Sequence, residues 1–401
     1  MDLQIEDLME ELVKEGGSDL HLAAGQPPYG RFSGDLRPMR EDKLSEDACD
    51  RLIFSLINNT QRKQLEQTWE LDCAYGLRGV ARFRVNVYRQ RNTYAACLRA
   101  LGNSIPTLKA LDLPPVVEET SHRPRGLILV TGPTGSGKTT TLAALLEHIN
   151  QTRSEHILTI EDPIEFLFTN KRSIINQREV GRDTESLQTA LRNALRQSPD
   201  CILIGEIRDR ETMSAALSMA LSGHLVLATL HANNSVHALG RILSFYAHDA
   251  RAALLSDLSA ALRAIVSQRL LRALAGGRMP AVEMLRNTKL VSEMIERGDF
   301  TGVKEAMESS MAPGSQTFEQ DLTRLVTEGL VAQDEAVAYA DSPANLMWKL
   351  QNLGSSGDAG AASRPAGPRE AEPPAFTEFT VDVREAAMTL PPVLRPPRTS
   401  A

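Results

Sequence analysis

Gly132, Gly137, Lys138 and Thr139 stand at the spacing G-x-x-x-x-G-K-[ST], inside the stretch RGLILVTGPTGSGKTTTL at 125–142. This spacing suits a loop that wraps phosphate. Glycines let consecutive backbone N–H groups turn inward around anionic oxygens, and a helix starting at the lysine presents the positive end of its dipole to the same charge. A short apolar run at 127–130 precedes the loop and helix-favouring residues follow it, which is the strand, loop and helix context required. Gly132, Pro133, Thr134, Gly135, Ser136, Gly137, Lys138, Thr139 and Thr140 form the candidate nucleotide loop. Lys138 would reach the β and γ phosphates of ATP and Thr139 would hold Mg²⁺.

Three more apolar runs, at 157–160, 202–204 and 225–230, also end in polar clusters. In a parallel sheet, ligands bind beyond the carboxyl ends of the strands. The first cluster is IEDPIE at 160–165, where three carboxylates crowd together. Either it is a solvated acidic turn, or Glu165 orients and deprotonates the water that attacks the γ-phosphate, with Glu161 and Asp162 shaping the site. The second, CILIGEIRD at 201–209, is an apolar strand ending in an acid, so Glu206 is the candidate to bind Mg²⁺ through water opposite Thr139. Arg208 and Asp209 read as a local salt bridge. The third, SGHLVLATLHANN at 222–234, ends in His231, placed to sense the γ-phosphate. His224, at its start, reads equally as a core histidine and as a site residue.

The elements that must hold these residues divide a chain of 401 residues, too long for one ordinary core. Residues 1–105 read as an α+β domain. Leu3, Leu8, Leu12 and Val13 predict a helix ended by Gly16 and Gly17, a strand follows at 18–22, turns lie at 25–28 and 34–35, and 52–56 belongs to a second helix. A strand meander spans 73–101, with its hairpin turn at Arg78-Gly79. Its arginines, including Arg82, Arg84 and Arg99, are either a solvated face or donors to a nucleotide on a neighbouring subunit. Proline-flanked residues 106–124 read as a linker, and 125–277 as a parallel sheet with helices on both faces. The stretches 252–274 and 282–339 read as helices, and 278–353 as a C-terminal helical subdomain. From 354 to 401 the composition turns to Ala, Pro, Gly and Ser, which predicts a disordered tail.

The formal net charge of -7 and an aromatic content of 4% argue against a nucleic-acid partner, which calls for a basic groove and stacking rings. No stretch reaches the length of a membrane span and the acidic, amphipathic start is unlike a signal peptide, so a cytoplasmic location is expected. Cys49, Cys73, Cys97 and Cys201 form no C-x-x-C pair, and no zinc site is expected.

Together, TGPTGSGKTTTL, ILTIEDPIEF, INQREVG, CILIGEIRD and ATLHANN resemble the secretion and pilus motor ATPases, in their PilT-like twitching motility branch. The resemblance runs from GGSDLHL through GVARFRVN to about residue 350. It implies an α/β fold with a PAS-like N-terminal α+β domain followed by a RecA-like P-loop NTPase domain, assembled as a homohexamer. It also implies retraction of type IV pili, acting on the cytoplasmic side of the inner-membrane pilus platform protein, with the motor peripherally associated at the pilus base. The family's roles map onto Lys138, Thr139, Glu165, Glu206, His224 and His231, and its trans-acting arginines onto Arg84 and Arg99.

Two departures refine this. Pilus-extension and secretion members carry a four-cysteine zinc module after the histidine box, and this chain has no cysteine after Cys201, so retraction is favoured. Where PilT-like retraction motors carry an AIRNLIRE-like motif, this chain has KLVSEMIERGD at 289–299. With LRQSPDCILIGEIRDRETM, QTFEQDL and YADSPANLMWKL, that segment resembles the accessory PilU-like paralogues, which implies a PilT-like retraction ATPase as partner. The alternatives are a nucleotide-binding structural or regulatory partner of such a motor, or a type II secretion or pilus assembly ATPase.

Overall fold

Between Ala81 and Val87 every second residue is apolar, and Ala81, Phe83, Val85 and Val87 are buried while Arg82, Arg84 and Asn86 take the other face. That alternation belongs to a sheet with one face on a core. A computed structural model describes residues 3–32, 34–77, 79–101, 105–309 and 311–355. In its N-terminal part, β1 (Gly17–Ala23), β2 (Tyr29–Phe32), β3 (Asp35–Pro38), β4 (Glu70–Leu77), β5 (Ala81–Gln90) and β6 (Thr93–Leu101) form one sheet in the order β3-β2-β1-β6-β5-β4. Neighbouring strands are antiparallel. The helix Ile5–Lys14 lays Ile5, Leu8, Met9 and Leu12 on its core, joined there by the helices Glu46–Ser55 and Asn59–Thr68. Of the expected hairpin turn, Arg78 lies outside the described residues.

The second sheet carries the phosphate loop. Its strands are β7 (Gly126–Thr131), β8 (His156–Glu161), β9 (Ile174–Glu179), β10 (Cys201–Ile204), β11 (Leu225–Leu230), β12 (Leu262–Arg272) and β13 (Arg278–Arg286), in the order β13-β12-β7-β11-β10-β8-β9. All neighbours are parallel except β12 and β13, an antiparallel hairpin. β7, β10 and β11 are buried along their whole length, as expected of strands covered on both faces. One apolar cluster includes Leu129, Ile204, Met213 and Leu258, and another includes Val130, Leu145, Leu203 and Met284.

Three sequence expectations change. The linker contains an ordered helix: Pro115–Ser121 is helical, and Leu108 and Val117 are buried with the strands of the second sheet. The helix expected over 252–274 ends at Ala261, and the chain continues as β12. The segment from Val282 likewise begins inside β13 rather than in a helix. The division at 277/278 therefore falls in the turn of one hairpin, where Gly276 and Gly277 take φ values of 88° and 79°. Beyond β13 come the helices Lys289–Arg297, Phe300–Glu308, Phe318–Thr327, Gln333–Ala338 and Pro343–Ser355. The expected disordered tail, apart from its first two residues, lies outside the described residues.

Candidate active site

The loop after β7 folds as its glycines require. Gly132 has φ 144°, and a Cβ there would stand 2.4 Å from the carbonyl oxygen of Gln268 on β12. Gly135 and Gly137 are also in the left-handed region, at 79° and 88°. Gly137 is the N-cap of the helix Lys138–Thr152, and no side chain caps that helix. Its first N–H groups are thus free of side-chain acceptors and aimed where an anion would sit. Ser136 Oγ is buried in the same loop with no hydrogen-bond partner. Uncapped amides and an orphaned hydroxyl fit a bound phosphate chain.

Lys138 is buried, and its Nζ donates to the carbonyl oxygens of Gly132 at 2.9 Å and Pro133 at 2.8 Å. Burial pushes its ammonium below the usual lysine range, while the charges of Glu206 and Glu165 pull it back up. These three residues share one cleft of about 560 Å³, lined also by Arg84, Thr134, Gly135, Thr139, Glu161, Asp162, Thr229 and His231. Pro133 and Ser136 line a second cavity, of about 400 Å³, on another side of the loop with Arg269, Tyr339 and Asp341. Thr140 lies in the first turn of the helix and lines neither cavity.

Glu206 follows β10 and is held from two sides. Its carboxylate meets His231 Nε2 at 3.1 Å and accepts from Arg208 Nε at 2.8 Å. The expected Arg208–Asp209 salt bridge is replaced by this Arg208–Glu206 pair, because Asp209 instead caps the helix Arg210–Leu221 by accepting from Thr212 N at 2.8 Å. The backbone under Glu206 is fixed by Thr229 Oγ1, which donates to Gly205 O at 2.5 Å, and by the Ile207 N–H, which donates to Thr229 O at 2.9 Å. A Cβ on Gly205 would stand 3.3 Å from Glu161 Cα, so the glycine lets β8 and β10 end side by side.

Glu161 and Glu165 separate into two environments. Glu161 is buried and accepts from Thr159 Oγ1 at 2.6 Å and Gln177 Nε2 at 3.3 Å. Burial pushes its carboxyl up, against the pull of those hydrogen bonds. Glu165 is part-exposed and faces the cleft, and the preceding Ile164 N–H donates to Glu179 Oε2 at 3.1 Å.

The two arginines also separate. Arg84 lines the cleft from its own chain, whereas Arg99 is not among the lining residues and donates through Nε to Asp19 Oδ1 at 2.8 Å. His224 is a correction: it precedes β11, and its Nδ1 lies 3.0 Å from Met219 O. Leu225 pairs with Gly126, at the start of β7, so His224 sits at the amino ends of the strands, roughly 20 Å of strand away from His231. Sequence reasoning named Arg82 only as one arginine of a solvated or nucleotide-donating face, and it missed Gly205 and Thr229. A glycine directly before Glu206 was the available signal for Gly205; Thr229 carried none.

Lys138, Thr139, Glu165, Glu206 and His231 thus converge from the carboxyl ends of four strands, an arrangement suited to phosphoryl transfer to water. Among the described residues no three His, Cys, Asp or Glu side chains gather as a metal cage. Thr139 and Glu206 line one cleft, and a hydroxyl with a single carboxylate fits Mg²⁺, which takes few protein ligands and otherwise water and phosphate.

Residues 3–309 match the family model described as type II/IV secretion system protein. The chain is 41% identical to the type IV pilus ATPase PilU of Pseudomonas aeruginosa, over 89% of this chain and 94% of that protein. It is 40% identical to the type IV pilus retraction ATPase PilT of the same organism, over 86% of this chain and 100% of that protein. The crystal structure of the pilus retraction motor PilT with bound ADP superposes with a TM-score of 0.80 at 42% identity, covering 85% of this chain and 98% of that one. The chain belongs to the type II/IV secretion system protein family, as a PilT/PilU-like ATPase.

Proposed function

We propose that the chain hydrolyses ATP with Mg²⁺ as a hexameric motor for type IV pilus retraction and twitching motility, in the accessory role of PilU-like members. The observation that carries this is the convergence of Lys138, Thr139, Glu165, Glu206, His231 and Arg84 on one cleft. The loop amides and Lys138 bind the phosphates. Glu165 orients a water and takes its proton as the oxygen attacks the γ-phosphorus; the β–γ bridging oxygen leaves with ADP. Thr139 and Glu206 are the residues that would hold Mg²⁺, which would supply positive charge to the transferring group. Arg84 adds positive charge to the same group, and His231 donates to the γ-phosphate, so that nucleotide state reaches Glu206 and the strands beneath.

In this reading the antiparallel N-terminal sheet belongs to a PAS-like domain and the parallel sheet to a RecA-like one, and nucleotide binding moves them as rigid bodies. The motor works on the cytoplasmic side of the inner-membrane platform protein, docked there peripherally. Among the described residues no helix is long and apolar enough to cross a membrane.

The accessory role rests on KLVSEMIERGD, which forms the helix Lys289–Arg297 with Val291 and Ile295 buried and its charged side chains outward. The same segment favours a second reading, a nucleotide-binding partner that regulates a PilT-type motor. Retraction in cells whose only retraction ATPase is this chain, compared with cells that also hold a PilT-like motor, separates the readings. Retraction only with both present, lost on Glu165→Gln, supports the accessory motor. Retraction with both present that survives Glu165→Gln supports the regulatory partner, and retraction by this chain alone overturns the accessory role.

A further inference from the structure

Arg82 and Arg84 leave the same face of β5, two residues apart, and meet the second sheet differently. Arg84 lines the cleft. Arg82 pairs with Glu179, the last residue of β9, and the two side chains are only 12% and 7% exposed. The oxygen that Arg82 meets, Glu179 Oε2, also accepts the Ile164 N–H at 3.1 Å. Ile164 is buried and immediately precedes Glu165. One carboxylate oxygen therefore joins the N-terminal sheet to the loop of the general base.

A buried ion pair is a weak source of net stability, because removing two charges from water offsets most of their attraction. This one is also incompletely satisfied, since Arg82 Nε is buried without a partner. Such a pair suits the setting of position better than the gaining of stability. We propose that Arg82 and Glu179 form a positioning latch, which brings Glu165 and Arg84 to the cleft together when the N-terminal sheet is docked. The proposal rests on Glu165 being the general base. When the sheet withdraws, Glu179 loses its counter-charge, the Ile164 amide is held less firmly, and Arg84 leaves with the strand that carries it. The phosphate loop needs none of these contacts, so nucleotide can bind with the latch open while hydrolysis waits for it to close.

The test uses the full chain in its assembled form with MgATP. Arg82→Ala and Glu179→Gln should each lower kcat about 10- to 100-fold while KM for ATP moves less than about threefold. The double variant should be no slower than the slower single, because the pair acts as a unit. Arg82→Lys keeps the charge and should stay within about fivefold of wild-type kcat. In Arg82→Ala, hydrogen exchange over 162–168 should quicken while exchange over 201–206 stays unchanged.

A folded Arg82→Ala chain with wild-type turnover overturns the latch. So do single losses that multiply in the double variant, or faster exchange over both segments, since either makes the pair a structural contact only. If Arg82→Ala does not fold, the decision passes to Glu179→Gln, in which wild-type turnover overturns the latch, and to Arg82→Lys, in which a loss of kcat beyond about fivefold without Glu179→Gln losing activity does so. Glu165→Gln, measured alongside, separates the two levels. Wild-type turnover in that variant overturns the general base and the latch together, whereas an inactive Glu165→Gln beside a fully active Arg82→Ala overturns the latch alone.

Discussion

Glu206 and His231 face each other at 3.1 Å across the ends of β10 and β11. The contact follows from register: Ile204 pairs with Ala228, so the residues just past the two strands emerge together on the cleft. Glu206 is the better shielded, 21% exposed against 48% for His231, and it keeps Arg208 as a second partner. Replacing His231 should therefore leave Glu206 in place. We expect His231→Ala to bind ATP within about threefold of wild type and to lose kcat by about 100-fold, the scale of one missing hydrogen-bond donor to the reacting group. Steady-state kinetics check this, and a rise in KM with unchanged kcat would assign His231 to binding alone.

Lys138 and Glu165 should separate binding from chemistry. Lys138 is the buried cation of the phosphate loop, and Lys138→Ala should abolish measurable binding of a fluorescent ATP analogue. Glu165→Gln keeps size and polarity but removes the proposed base, so binding should persist while turnover falls at least about 100-fold. An inactive Glu165→Gln chain that also fails to bind nucleotide would assign Glu165 to the binding site instead.

Arg84 and Arg99 are cross-strand partners on β5 and β6, yet only Arg84 lines the cleft. Arg99 is two-thirds exposed and engaged by Asp19, which Arg31 also approaches at 3.5 Å. Arg84→Ala should lower kcat about 10- to 100-fold. Arg99→Ala should leave kcat within about threefold and cost stability on the order of 1 kcal/mol, because it removes a charge-assisted hydrogen bond from the buried Asp19 carboxylate, which keeps Ser18 and Arg31 as partners. Equal losses of kcat in both variants would show that Arg99 reaches a nucleotide in the assembled motor.

The phosphate loop was legible because its chemistry is contiguous: four fixed residues, a strand before and a helix after define it with no long-range contact. The helices read over 252–274 and from 282 failed for the opposite reason. Leu262–Arg272 is buried on both faces, and a run without two-residue alternation cannot be told from a buried helix. His224 and His231 flank the same strand, and only the direction of that strand in the sheet decides which one reaches the cleft. Arg82 and Glu179 meet across 97 residues of sequence, and an arginine on a half-exposed strand carries no local mark of its partner. Residue types announced the chemistry, while the docking of one sheet on the other chose among the arginines.

Glu283 on β13 offers a pH test away from the chemistry. It is buried, and its Oε1 accepts the Ser235 N–H at 2.6 Å and the Ser267 hydroxyl at 3.4 Å. Ser267 in turn accepts from Thr131, the residue before Gly132, at 3.0 Å, so the network ties the root of the phosphate loop to the helix after the His231 segment. Burial pushes the Glu283 carboxyl up to about 7; Ser235 and the charge of Arg269 pull it down, and the charge of Asp341 raises it. Between its ordinary value of 4.5 and about 7 the folded chain therefore holds a proton that the unfolded chain has released. Stability from this group is complete below the lower value and is lost as pH rises through the upper one, at up to about 1.4 kcal/mol per pH unit. Glu283→Gln mimics the protonated acid at every pH and should remove that slope. The stability difference between wild type and Glu283→Gln should thus shift against the wild type from pH 5 to pH 8, then level off. Thermal unfolding of both chains across that range reads it directly, and parallel curves would mean that Glu283 is ionised in the folded protein throughout.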